Sequence, residues 1–287
     1  MKTRTDPVLS AEGLTLGYGG EPIVRDLDLR VDEGEFVVIV GPNGCGKSTL
    51  LKALGRVAKP MRGRVLLHGS DVRGQRPKAV ARALALLPQS PLAPEGITVR
   101  ALTARGRFPH HTLLRQWSPE DETAIADALA LTGLSALDQT QVGALSGGQR
   151  QRAWVSMVLA QDSPVLLLDE PTTFLDIAHQ YDLLELFAEL HRKGRTVVAV
   201  LHDLAQAARF ATRLVMMRDG QVVADGPPSE VVTADRVRAV FGLDCDVISD
   251  PRTATPLVIP HERSAAREVE GLDRGPRSDG RNRTHVG

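Results

Sequence analysis

The sequence predicts an α/β fold built on a parallel sheet, and three observations carry that prediction. Phe36-Val37-Val38-Ile39-Val40 is an unbroken apolar run, β-branched apart from its Phe, as expected of a strand covered on both faces. Residues 165–168 and 196–201 are two further apolar runs, and a helical pattern over 177–190, closed by Lys193-Gly194, lies between them. Strand, helix, strand in that order implies parallel strands joined by right-handed crossovers. Third, a glycine-rich stretch, residues 41–49, follows the first run directly and opens a helix over 48–54 that Gly55 can end.

The other elements follow in chain order. Residues 8–16 read as a strand before a Tyr18-Gly19-Gly20 turn, and 23–31 alternate apolar with charged residues, a half-buried strand pattern. Residues 65–68 make a short strand before a polar loop. Over about residues 90–160 strand runs disappear, and Ile125, Leu129, Leu131 and Leu134 recur at near-helical spacing, which predicts a helical insertion. Within it Ser118-Pro119-Glu120-Asp121-Glu122 is a helix start: Ser as N-cap, Pro at N1, acids in the first turn. Asp219-Gly220 marks the tip of a hairpin between 214–217 and 221–224. Residues 1–260 are expected to form the folded domain. Residues 261–287, rich in Arg, Gly and Asp and poor in apolar residues, are expected to be a disordered charged tail.

Composition narrows the function. The 287 residues carry 35 Lys+Arg against 35 Asp+Glu, so zero net charge argues against bulk electrostatic binding of nucleic acid, and no nucleic-acid partner is expected. Cys45 and Cys245 are too few for a disulfide framework or a Cys-rich zinc site. The polar start lacks the apolar stretch of a secretory signal, and no run approaches the roughly 20 apolar residues that cross a bilayer. The expectation is a soluble intracellular polypeptide.

Gly41-Pro42-Asn43-Gly44-Cys45-Gly46-Lys47-Ser48-Thr49 is the G-x-x-x-x-G-K-[ST] phosphate loop in its strand–loop–helix setting. Glycines let backbone N–H groups converge on phosphate oxygens at a helix N-terminus. Lys47 is placed for the β- and γ-phosphates and the Ser48 hydroxyl for Mg²⁺. A strand ending in Asp169-Glu170 adds a carboxylate suited to Mg²⁺ and one suited to polarising an attacking water; capping of the next helix is the plainer use of two such acids. Leu145-Ser146-Gly147-Gly148-Gln149 precedes an apolar helix, with Ser146 as N-cap, and makes a second anion grip about 100 residues after the first. One nucleotide has no use for two grips on one chain, whereas two chains packed head to tail do.

In this order the motifs resemble the ATP-binding subunits of ABC transporters, over residues 8–260. The resemblance implies an ABC-type P-loop NTPase: a mixed, largely parallel core sheet, an antiparallel β subdomain and a helical subdomain bearing the signature Leu145–Gln149. It further implies that Tyr18 stacks on adenine and that Gln89 touches Mg²⁺ and senses the membrane subunit. Asp176 falls in the D-loop, and His202 is the switch histidine. Glu170, His202 and Gln89 would be catalytic. Ser48, Gln89 and Asp169 would hold Mg²⁺, and the nucleotide would lie between residues 41–49 of one chain and Ser146, Gly147, Gly148, Gln149 and Asp176 of the other. The implied partners are a second ATPase subunit, integral membrane permease subunits and, indirectly, an extracytoplasmic substrate-binding protein, which puts the chain on the cytoplasmic face of the inner membrane.

Gly106-Arg107-Phe108-Pro109-His110, Trp117–Asp121 and Glu170–Gln180, with Phe174 and the Asp-Ile-Ala-His-Gln run, resemble the importers of ferric siderophores, haem and cobalamin, most of all the siderophore branch. Residues 138–143 depart from that branch, which has a more basic stretch there. Arg100, Arg105, Arg107, His110, His111 and Arg115 read either as a solvated helix face or as part of a groove for a permease helix. Charge reversal at Arg107 that uncouples transport while sparing ATPase activity marks the second reading. Cys45, at a helix N-terminus beside Lys47, is expected to have a lowered pKa. Haem or cobalamin import, an ABC-type ATPase acting on DNA or ribosomes, and a phosphate-loop kinase are the alternatives; the last has no need of Leu145–Gln149 or a switch histidine.

Overall fold

The computed structural model describes residues 7–89, 91–112 and 117–262. Strands β1 (Leu9–Tyr18) and β2 (Glu21–Val31) precede β3 (Phe36–Val40), and helix α1 (Lys47–Leu54) follows the glycine-rich loop. Then come β4 (Arg62–Leu67), β5 (Ser70–Asp71), α2 (Pro77–Ala83), β6 (Leu84–Leu87), α3 (Val99–Ala104), α4 (Pro119–Leu131) and α5 (Gly147–Ala160). The chain continues through β7 (Val165–Asp169), α6 (Ile177–Arg192), β8 (Thr196–Val200), α7 (Leu204–Phe210) and the hairpin β9 (Arg213–Arg218)–β10 (Gln221–Gly226). It closes with α8 (Pro228–Val231), α9 (Ala234–Phe241) and the hairpin β11 (Cys245–Ser249)–β12 (Pro256–Pro260).

Six strands form the core sheet in the order β10-β9-β3-β8-β7-β6, parallel except for β10. Because side chains alternate across a strand, one apolar run feeds two cores. Phe36, Val38 and Val40 pack toward α6 and α7, whereas Val37 and Ile39 pack toward α1 and the antiparallel sheet β2-β1-β4-β5. The predicted mixed sheet with an antiparallel companion is borne out.

Helices α3, α4 and α5 gather around a separate cluster of Val99, Leu102, Ile125, Leu129, Leu134, Val142, Leu145 and Ala153. Trp154 and Met157 of α5 touch both this cluster and the sheet's core, so α5 bridges the two. The start of α4 is as predicted: the Ser118 hydroxyl accepts from the Asp121 amide and the Asp121 carboxylate accepts from the Ser118 amide, a complete capping box.

Three expectations are corrected. The polar loop after residue 68 contains α2 and β6, and β6 is the sheet's edge strand, paired through Leu84 with Val165. The region after residue 226, for which no elements were predicted, forms two helices and a hairpin. The solvated-face reading of the basic cluster holds at Arg105, which is exposed, and fails at Arg107. Arg107 is 7% exposed, and its Nε and Nη1 donate to Asp121 Oδ1 (2.7 Å) and the Ala160 carbonyl (2.8 Å). Arg100 pairs with Glu122 and Asp138, and His110 bonds the Gln161 carbonyl. Gly106 explains the tight fit beside Arg107: a Cβ there would lie 2.1 Å from the Met157 carbonyl oxygen. Arg115 and the tail from residue 263 lie outside the described residues.

Candidate nucleotide site

Four segments named from the sequence leave the carboxyl ends of four adjacent parallel strands, where open α/β sheets bind ligands. The phosphate loop follows β3, His202 follows β8, Asp169-Glu170 ends β7, and Gln89 follows β6. Strand register aligns them, with Ile39 and Asp169 both opposite Val200 and Leu87 opposite Leu168.

The phosphate loop is braced by the hairpin tip, where the Gly220 amide donates to the Cys45 carbonyl at 3.1 Å. Gly41 is dictated by space as well as by phosphate approach: a Cβ there would sit 2.2 Å from the Met217 carbonyl oxygen. Lys47 is buried, and its ammonium donates to the Gly41 and Pro42 carbonyls at 2.8 and 2.9 Å. Pro42, Asn43, Gly44 and Cys45 line one side of a cavity of about 550 Å³ whose far wall is Arg218, Asp219 and the end of α9, residues 238–242. Sequence reasoning found the hairpin tip at Asp219 but missed the α9 part of that wall, although Thr233 before the helix and Gly242 after it are legible cap signals.

The Ser48 hydroxyl donates to Asp169 Oδ1 at 2.7 Å. Asp169 Oδ2 is buried with no hydrogen-bond partner. Burial raises the Asp169 pKa above the usual carboxylate value, against the lowering effect of the Ser48 bond. An orphaned carboxylate oxygen beside a hydroxyl suits a hard divalent cation.

Glu170, 8% exposed, is gripped on both oxygens. Gln89 Nε2 donates to Oε2 at 2.6 Å, and His202 Nε2 lies 2.6 Å from Oε1. Its backbone has a φ of +52°, in the left-handed region. Gln151, also unforeseen, donates its side-chain Nε2 to the Pro171 carbonyl at 2.9 Å and so ties α5 to this loop.

Ser146, Gly148, Gln149 and Asp176 meet elsewhere, in a cleft of about 130 Å³ with Arg152, Phe174, Leu175 and His179. Ser146 and Gln149 form a second capping box, and Gly147 is the first residue of α5. Asp176 caps α6 and accepts from His179. The cleft shares no lining residue with the phosphate-loop cavity. Tyr18 is 60% exposed at the end of β1, and Thr49 lies within α1.

Cys45 corrects an expectation. Burial pushes its pKa up, outweighing the lowering by Lys47's charge. Native chain at pH 7.5 should therefore alkylate at Cys45 at least about tenfold more slowly than unfolded chain, read by peptide mass spectrometry; equal rates would contradict the buried placement.

The sequence profile of the family described as ABC transporter matches residues 24–173. The chain is 51% identical to the ferric enterobactin transport ATP-binding protein FepC of Escherichia coli (strain K12), covering 90% of this chain and 95% of that protein. It is 49% identical to the achromobactin transport ATP-binding protein CbrD of Dickeya dadantii (strain 3937), covering 91% and 97%. Among solved structures, the dimeric post-hydrolysis state of an ATP-binding cassette bound to ADP and Pi superposes with a TM-score of 0.67 at 28% identity, covering 76% of this chain and 98% of that one. No helix among the described residues is long and apolar enough to cross a membrane. With a phosphate loop, a carboxylate-ended strand and a separate signature cleft on one sheet, the chain belongs to the ABC transporter family, as an ATP-binding, ATP-hydrolysing cassette subunit.

Proposed function

We propose that the chain drives import of a ferric siderophore complex through separate permease subunits, from the cytoplasmic face of the inner membrane, with a substrate-binding protein delivering the cargo on the other side. The observation that carries the mechanism is the separation of the two anion grips. The phosphate loop and the Ser146–Gly148 helix N-terminus line different cavities of one chain. Two chains packed head to tail would bring each phosphate loop against the other's signature cleft, closing on two ATP molecules. Tyr18 offers an exposed ring for adenine.

Phosphoryl transfer is mostly positioning and charge neutralisation. Lys47 would exchange its bonds to the Gly41 and Pro42 carbonyls for phosphate oxygens. Ser48 Oγ, Asp169 Oδ2 and the side-chain carbonyl of Gln89 would hold Mg²⁺, which when bound neutralises phosphate charge. The Nε2 of Gln89 is already committed to Glu170, which leaves its oxygen as the ligand atom. Each Glu170 oxygen keeps a lone pair after its one strong bond, so the carboxylate can take a proton from the attacking water. His202, on the opposite oxygen, fixes the direction of that lone pair and would face the γ-phosphate.

The identity with FepC, whose name gives ferric enterobactin, supports an iron-chelate cargo over haem or cobalamin. Uptake of ⁵⁵Fe-siderophore in a deletion strain tests it: restoration by this chain is expected, and restoration of haem or cobalamin uptake alone would overturn it. Release of ADP and phosphate with no phosphorylated product excludes a kinase. For the metal site, Asp169→Asn should raise the Mg²⁺ concentration for half-maximal ATPase activity about 10–100-fold, measured by titration at saturating ATP.

A further inference from the structure

Two inward-facing glutamines join loops that otherwise serve different clefts. Gln206, 5% exposed, lies in the first turn of α7 directly after His202-Asp203, and its amide N–H donates to Asp203 Oδ1 at 2.8 Å. Its side-chain Nε2 donates to Gln180 Oε1 at 2.7 Å. Gln180, half-buried in the first turn of α6, donates its own Nε2 to the Leu175 carbonyl at 3.0 Å. Leu175 precedes Asp176 and lines the Ser146–Gly148 cleft. At the other end His202 touches Glu170. A continuous path therefore runs from a chain's own glutamate to the surface it offers a second chain.

The path has a direction. Turning the Gln180 amide over would put NH₂ against NH₂ at Gln206 and oxygen against oxygen at Leu175, so one orientation alone satisfies both bonds. Two leucines would fill the contact between α6 and α7 without burying amides. What the amides add is a fixed link between two loops.

We propose that Gln206 and Gln180 are positioning residues that couple the two ATP sites of the dimer. Movement of His202 toward a γ-phosphate shifts the start of α7, and the two amides pass that shift to the Leu175 carbonyl and Asp176. The grip on the partner's nucleotide changes with it. This rests on the head-to-tail reading above.

The test uses the full chain with Gln206→Leu, Gln180→Leu and Gln180→Glu. The last keeps an acceptor for Gln206 but sets an oxygen against the Leu175 carbonyl. ATP hydrolysis is followed against ATP concentration, and binding by a fluorescent ATP analogue. Wild type is expected to be cooperative, with a Hill coefficient approaching about 2, the number of sites. The variants should fall toward 1 and lose about tenfold in kcat with analogue Kd within about twofold. A merely structural role would weaken binding and folding together and leave cooperativity in the folded fraction. Should Gln206→Leu fail to fold, Gln180→Glu, at a half-buried site, carries the test. A cooperative wild type with equally cooperative variants overturns the relay alone, as does a non-cooperative dimer. A wild type that neither cooperates nor, as Glu170→Gln, dimerises with ATP overturns the head-to-tail reading and the relay with it.

Discussion

Glu170→Gln is expected to lower ATP turnover by about 10²–10³-fold while leaving nucleotide binding within a few-fold of wild type. The substitution is nearly isosteric and keeps an oxygen to accept from Gln89 Nε2, so the loop has no reason to collapse. What disappears is the lone pair proposed to take the proton from water. Bound ATP then persists, and the variant should run as a dimer in ATP and as a monomer in ADP by light scattering. Near-wild-type hydrolysis would remove Glu170 from its role and return Asp169-Glu170 to the plainer part of capping acids.

The second large effect is on stability. Arg107→Ala should destabilise the chain by about 3 kcal/mol, because it leaves the buried carboxylate of Asp121 without its guanidinium and with only Ser118 and the more distant His111 ring beside it. Charge reversal at Arg107 sets two carboxylates together and should prevent the α4 region from folding, so it cannot report on permease coupling. Thermal denaturation of Arg107→Ala and of the paired Arg107→Met/Asp121→Leu separates causes: the apolar pair should recover part of the loss.

The pair also has a pH signature. Burial raises the Asp121 pKa, but hydrogen bonds from Arg107 and Ser118, with Arg107's charge, outweigh it and hold the group below the usual carboxylate value. A depressed folded pKa means that the unfolded chain binds the proton more readily. The stabilisation is thus fully present above the unfolded value of about 3.9 and is lost as pH falls through the lower folded one. In urea denaturation, the advantage of wild type over Asp121→Asn should shrink as pH falls below about 4; an advantage that grows with acid would refute the pairing.

Much of this was legible in the residues, and what was not has a physical reason. Strands β3, β7 and β8 announce themselves because a strand buried on both faces must be apolar at every position. β6 does not, since Leu84-Ala85-Leu86-Leu87 continues an Ala-rich helical pattern and becomes a strand only by pairing with β7. Asp121 was read correctly as a first-turn acid, yet nothing local says that Arg107, 14 residues earlier, turns inward to meet it. The phosphate loop and Asp169-Glu170 were readable from their own residue patterns, whereas Gln89 and His202 came only with the resemblance. The contacts that hold them, Gln151 to Pro171 and Gln206 to Gln180, carry no such pattern. They join α5 or α7 to loops distant along the chain and exist only once those elements pack.

The left-handed backbone at Glu170 has a practical corollary. Glycine would adopt a φ of +52° freely, whereas glutamate resists it by about 1 kcal/mol. Glycine at this position relieves that strain but gives up the bonds to Gln89 and His202, and with the proposed base gone the chain is expected to bind ATP without turning it over. Screens that reward expression or heat tolerance without an ATPase readout are therefore blind to loss of the proposed base at position 170.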